Sequence, residues 1–233
     1  MIFGLGDLHF DPIGDKPMDI FGKNWLEHEE KIISYWESVV KDDDIVLLPG
    51  DISWGLRLDE AIVDLEKIDK LPGIKIISKG NHDYWWSSLN KMNSLGFNSI
   101  KFINNNSYRY GDISISGTRG WIPRDAYGFN ENDEKIYLRE VNRLKMSLED
   151  NKDAKYKIAM IHYPPFNQDF TVNDFSKLLT EYNVDLCIYG HLHGDGHKYI
   201  VEGLIDSVEY KCVASDFVDF KVQELNSYLW KEN

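Results

Sequence analysis

Ile74-Lys75-Ile76-Ile77-Ser78-Lys79-Gly80-Asn81-His82-Asp83 decides the reading of this chain. A short apolar run of strand character ends in a glycine, and side chains that bind metals or move protons follow at once. The same order recurs four times. Asp7 and His9 follow residues 2–6, Asp51 follows residues 45–50, His162 follows residues 158–161, and His191 with His193 follows residues 186–190. Imidazole and carboxylate are ligands for hard-to-borderline divalent ions such as manganese, iron and zinc. In open α/β sheets, ligands gather beyond the carboxyl ends of the strands, so segments remote in sequence can converge there. Of the seven histidines, five (His9, His82, His162, His191 and His193) fall in these segments. One such histidine would suit a structural role; five in matched positions point to a metal site, and to one for two ions.

The stretches around these segments alternate between strand and helix. Ile45–Pro49, Ile74–Ser78, Tyr156–Ile161 and Leu186–Tyr189 are mostly apolar, as expected of strands covered on both faces. Asn24 with Glu27 has the pattern of a helix start, leading into Leu26, Ile33, Trp36 and Val40 on one face. Leu58, Ile62, Leu65 and Ile68 repeat at helical spacing until Leu71-Pro72-Gly73 ends the segment. Tyr137, Val141, Leu144 and Leu148 mark a third helix, and Phe175, Leu178, Leu179 and Tyr182 a fourth. Residues 100–117 resemble short strands broken by Asn104-Asn105-Asn106 and Gly111-Asp112. Residues 197–213 suggest a hairpin around Gly203, with a further short strand near residues 217–222. Lys41-Asp42-Asp43-Asp44 is expected to be a solvated turn. No linker or repeat interrupts the chain, so a single α/β domain over residues 1–233 is expected.

The formal net charge of -13 argues against a protein that tracks a nucleic-acid backbone. It leaves room for a small phosphate, because metal ions can oppose the global sign locally. Cys187 and Cys212 share no metal-ligand spacing, Cys187 is expected to be buried, and the cytoplasm is the natural default. The first residues show no basic segment ahead of a long apolar one, so a signal peptide is not expected. No apolar run approaches the roughly 20 residues that span a bilayer, so no membrane association is expected.

Asp7-Leu8-His9, Gly50-Asp51, Gly80-Asn81-His82-Asp83, His162 and Gly190-His191-Leu192-His193 resemble, in order, the five signature blocks of the calcineurin-like metallophosphoesterase family. The resemblance covers residues 7–193. It implies a four-layer αββα sandwich with mixed sheets, two divalent transition-metal ions (manganese, iron or zinc, with manganese the one expected to be active in vitro) and phosphoester hydrolysis. It further implies that Asp7, His9, Asp51 and His193 hold one ion, and that Asn81, His162, His191 and the same Asp51 hold the other. A hydroxide bridging the ions would attack phosphorus, and His82 would assist the leaving group. The expected substrate is a small phosphomonoester, phosphodiester or nucleotide, with Asn81 also touching it.

One position departs from the family. The protein-phosphatase branch has an acidic residue three positions after the bridging aspartate, where it orients the catalytic histidine; here Trp54 stands there. This disfavours a protein phosphatase and leaves Asp83 as the substitute partner for His82, or else as a helix-start residue. The other alternative is a non-catalytic scaffold of the same fold, which the retained His82 disfavours. Arg57 and Arg119 are arginines able to grip a phosphate oxygen or to form surface ion pairs. Residues 118–132, with Arg119, Trp121, Arg124, Tyr127 and Phe129, are expected to select the substrate. His28, among glutamates on a helix, is expected to face solvent, and His197 lies outside the motif.

Overall fold

A computed structural model describes residues 1–229. The first half of the chain runs β1 (Ile2–Gly4), α1 (His28–Val39), β2 (Ile45–Pro49), α2 (Leu58–Lys70), β3 (Ile74–Ser78), α3 (Leu89–Asn93) and β4 (Ile100–Ile103). The second half runs β5 (Tyr108–Tyr110), β6 (Ile113–Thr118), α4 (Glu131–Asp150), β7 (Tyr156–Ile161), α5 (Asp174–Glu181) and β8 (Leu186–Tyr189). The hairpin of β9 (Gly203–Ile205) and β10 (Val208–Cys212), then β11 (Gln223–Glu224) and α6 (Asn226–Leu229), complete it. One sheet has the order β11-β1-β2-β3-β4 and the other β5-β6-β7-β8-β10-β9. The inner strands of both are parallel, and antiparallel β11, β5 and β9 lie at sheet edges.

Strand alternation explains the layering, because successive side chains point to opposite faces. On β2, Ile45 and Leu47 join Ile158 and Met160 of β7 and Leu186 and Ile188 of β8 in a core between the two sheets. The residues between them point outward. Val46 and Leu48 meet Ile32 and Trp36 of α1 and Leu65 and Ile68 of α2. Ala159 and Ile161 of β7 meet Tyr137 and Leu144 of α4 and Phe175 and Leu179 of α5. The result is two sheets face to face with helices on both outer faces, the expected sandwich. Cys187 is fully buried. No helix among the described residues is long and apolar enough to cross a membrane.

Several local expectations fail, each for a visible reason. Helix α1 starts at His28 after Glu27 in the left-handed region, because residues 23–25 form a separate 3-10 turn; Asn24 therefore caps nothing and Leu26 is exposed. The hairpin turns at Asp206-Ser207, both at positive φ, and not at Gly203, which instead begins β9. Residues 217–222 do not form a strand, and the pairing segment is Gln223–Glu224 on the edge of β1. Asp44 is not solvated: it is buried and accepts from the Lys41 amide at 2.8 Å.

Candidate metal centre

Every segment singled out in the sequence leaves the carboxyl end of a parallel strand, from β1, β2 and β3 in one sheet and from β7 and β8 in the other. Backbone bonds draw these loops together. The amides of Asp7 and His9 donate to the carbonyls of Gly50 and Asp51, and the amide of Gly6 donates to the Val213 carbonyl, which links the two sheets at this edge. Asp7, His9, Asp51 and His191 all have positive φ, between 47° and 74°. Such conformations cost non-glycine residues energy and concentrate at functional sites. Two glycines are required by crowding. A Cβ on Gly80 would lie 2.1 Å from Asp51 Oδ1, and one on Gly190 would lie 2.2 Å from Asp7 Oδ2.

The candidate ligands form two overlapping clusters, Asp7 with His9 and His193, and Asp7 with Asp51 and His162. Asp51 Oδ2 lies 3.7 Å from His9 Nε2 and 3.4 Å from His162 Nε2, so a single carboxylate oxygen faces both clusters. Its other oxygen, Oδ1, accepts from the His82 amide at 2.8 Å. On the second cluster, Asn81 Oδ1 is 2.6 Å from His162 Nε2 and 2.9 Å from His191 Nδ1.

Protonation shows what this arrangement lacks. Burial pulls the His162 imidazole down to about 3, so the ring is neutral. Its Nδ1 faces the Pro49 carbonyl at 3.0 Å and must carry the proton, which leaves a lone pair on Nε2. That lone pair faces Asn81 Oδ1 at 2.6 Å and His191 Nδ1 at 3.2 Å. Burial likewise holds His9 and His191 well below the ordinary imidazole value. Burial, followed by the neighbouring carboxylates Asp83 and Asp7, pushes Asp51 well above the ordinary range. Cations placed between these imidazoles and crowded carboxylates would relieve both. The residues present therefore fit divalent metal ions.

Asp216 completes the first cluster from behind and was not foreseen. It follows β10, accepts from His193 Nδ1 at 2.7 Å and from the Gly194 amide at 3.0 Å, and lies 3.2 Å from His197 Nε2. A carboxylate on one imidazole nitrogen aims the other at a metal, and His193 Nε2 is indeed turned toward Asp7 Oδ1 at 3.4 Å. Burial opposes charge on His193, but Asp7 and Asp216 outweigh it and push the ring up to about 10. The sequence signal was weak, since Ala214-Ser215-Asp216 follows a strand that carries Glu209 and Lys211 and lacks the apolar run of the other segments.

Other expected site residues are placed differently. His82 is half-buried beside the first cluster, 5.8 Å from His9 between ring centroids, and burial lowers its ring below the ordinary value. Asp83 does not reach it. The Asp83 carboxylate is buried and accepts from the amides of Gly80, Asp51 and Ile52 and from Trp85 Nε1, so it ties the β2 and β3 loops together. The neighbour of His82 is Trp54, whose ring centroid is 4.6 Å away and which stacks on His9 at 4.9 Å. His28 is buried, with Nε2 3.1 Å from the His9 carbonyl, and so supports the site from below instead of facing solvent. Arg57 is exposed and pairs with Asp59 and Glu60. Arg119 is held by Glu140 at 3.3 Å and lies over the Trp121 ring, with its buried Nε unpartnered. Arg124 pairs with Glu134 and Asp174, Tyr127 points into solvent, and Phe129 packs edge-on to Tyr137.

Comparison with known proteins agrees with this geometry. A model of the calcineurin-like phosphoesterase family matches residues 1–195. An uncharacterized protein of Methanocaldococcus jannaschii, MJ1445, is 25% identical over 183 residues, covering 76% of this chain and 92% of that one. The fold is similar to that of phosphopantetheinyl hydrolase (PptH) from Mycobacterium tuberculosis, with a TM-score of 0.55 and 17% identity over 91% of this chain and 88% of that one. It is similar also to AQ665, a protein of unknown function from Aquifex aeolicus, with a TM-score of 0.50 and 17% identity over 96% of this chain and 94% of that one.

Proposed function

We propose, because the chain belongs to the calcineurin-like phosphoesterase family, that it is a metal-dependent phosphohydrolase acting on a small phosphomonoester, phosphodiester or nucleotide. The observation that carries this reading is the convergence of two adjoining clusters, Asp7 with His9 and His193 and Asp7 with Asp51 and His162, with Asn81 and His191 beside the second. Asp7, His9, Asp51 and His193 would hold one ion; Asn81, His162, His191 and the shared Asp51 would hold the other. Manganese is the ion expected to support activity in vitro. Bound divalent ions supply Lewis acidity toward phosphoryl oxygens and toward water near neutral pH.

The chain supplies the rest. Asp216 and the Pro49 carbonyl each engage Nδ1, so that Nε2 of His193 and of His162 would be left to hold the ions. Asp83 holds the Asp51 backbone through its amide, so the shared carboxylate is presented without reorganisation. His82, packed on Trp54, is the general acid for the leaving oxygen. A bound phosphate anion favours its protonated form, offsetting the lowering caused by burial. Trp54 in place of an acidic partner separates this site from that of the protein phosphatases. Arg119, whose Nε is uncommitted, would be the arginine for a phosphate oxygen.

Hydrolysis of 4-nitrophenyl phosphate and of an alkyl phosphate by manganese-loaded protein tests this. His82→Ala should keep its metal and lose turnover by roughly 10²–10⁴. The loss should be greater for the alkyl ester, whose leaving oxygen needs the proton more. Equal losses for the two esters would remove His82 as the acid, and no hydrolysis of either by the loaded protein would count against the enzyme reading.

A further inference from the structure

We infer that the pocket beside His191 is the subsite for the organic group of the phosphoester, and that it takes a single uncharged aromatic ring. The inference rests on the hydrolase reading and names its substrate class. The pocket has a volume of about 150 Å³. Its walls come from the loops after three adjacent strands of one sheet. Ile122, Pro123 and Ala126 follow β6, Phe166 follows β7, and Leu192 and Tyr199 follow β8. These are the same strand ends that bring His162 and His191 to the metal centre.

His191 is the partition between the two. Its Nδ1 faces Asn81 Oδ1 at 2.9 Å, while its ring also lines the pocket and packs against Tyr163 with centroids 4.1 Å apart. The pocket and the centre therefore adjoin across one side chain, and an ester would span them by passing the edge of the His191 ring.

Size and chemistry select the occupant. An apolar cavity of about 150 Å³ holds one benzene-sized ring. Asn167 and Gln168 line its rim, but among the described residues no Asp, Glu, Lys or Arg does, so a second phosphate or an ionised group would be desolvated there without a counter-charge. The larger hollow, of about 420 Å³, lies by Asp11, Met18 and Trp25, and Asp19, Glu27, Glu29 and Glu30 also line it. Its carboxylates would repel an anionic ester. The expected specificity-determining segment 118–132 thus contributes through Ile122, Pro123 and Ala126, not through its aromatic residues.

Calorimetric titration of the manganese-loaded full chain with phenylphosphonate and methylphosphonate reads the subsite without requiring turnover. Burial of the ring should make phenylphosphonate bind roughly 10- to 100-fold more tightly. Ala126→Trp, which fills the pocket, should bring the ratio of the two affinities close to one. Tyr199→Ala, at a partly exposed wall, should lower the ratio several-fold. Equal affinities in the natural protein, or a preference that survives Ala126→Trp, would overturn the subsite. A preserved preference without hydrolysis of phenyl phosphate would sustain the subsite and count against the hydrolase reading instead.

Discussion

Asp216 governs His193 through a 2.7 Å contact to Nδ1, which leaves Nε2 as the atom turned toward Asp7. Replacing its carboxylate with an amide removes the charge that holds this tautomer. Asp216→Asn is expected to weaken manganese binding by roughly 10- to 100-fold, the usual scale for a partner behind a metal-ligating histidine. Metal titration checks this, and unchanged affinity would leave His193 oriented by its own loop. At this scale the sequence was legible in residue type and order. Asp7, His9, Asp51, Asn81, His162, His191 and His193 do gather, because each directly follows a strand whose end the fold fixes. Side-chain direction was not legible. Asp83 sits next to His82 in sequence, yet its carboxylate turns inward to three backbone amides, and spacing alone cannot choose between those directions.

Among the elements, β3 carries a polar feature that the strand pattern conceals. Lys75 is fully buried, and its ammonium donates to the carbonyls of Asp69, Leu71 and Gly73, which close the end of α2. Burial pulls it down to about 8. Lys75→Met would leave buried carbonyls without a donor and should cost about 1–3 kcal/mol at pH 7, measured by urea unfolding. The pH dependence has a definite sign. The unfolded chain keeps an ordinary lysine near 10.4, so between about pH 8 and that value it binds more protons than the folded chain. The natural protein should therefore gain stability relative to Lys75→Met as pH rises through that window, and the difference should be flat below it. A difference that shrinks with rising pH would contradict the assignment. Strands and the long helices were readable because their apolar periods are sustained. The start of α1 and the Asp206-Ser207 turn were not, since each depends on a left-handed residue with no glycine to announce it.

Across the whole molecule, the candidate site follows from two mixed sheets packed face to face, with the carboxyl ends of their parallel strands together. Neither sheet holds the complete ligand set: Asp7, His9, Asp51 and Asn81 come from one, and His162, His191 and His193 from the other. The alternation of Ile45 and Leu47 against Val46 and Leu48 was enough to predict burial on both faces. It could not specify which faces meet, and that part of the expectation came from the family resemblance. Anomalous scattering from crystals of the manganese-loaded protein examines the joined edge most directly. Two peaks are expected about 3.5–4 Å apart, one by Asp7, His9 and His193, the other by Asn81, His162 and His191, with Asp51 Oδ2 between them; Asp51→Asn should weaken both. A single peak, or full occupancy of both sites in Asp51→Asn, would contradict a shared two-metal centre.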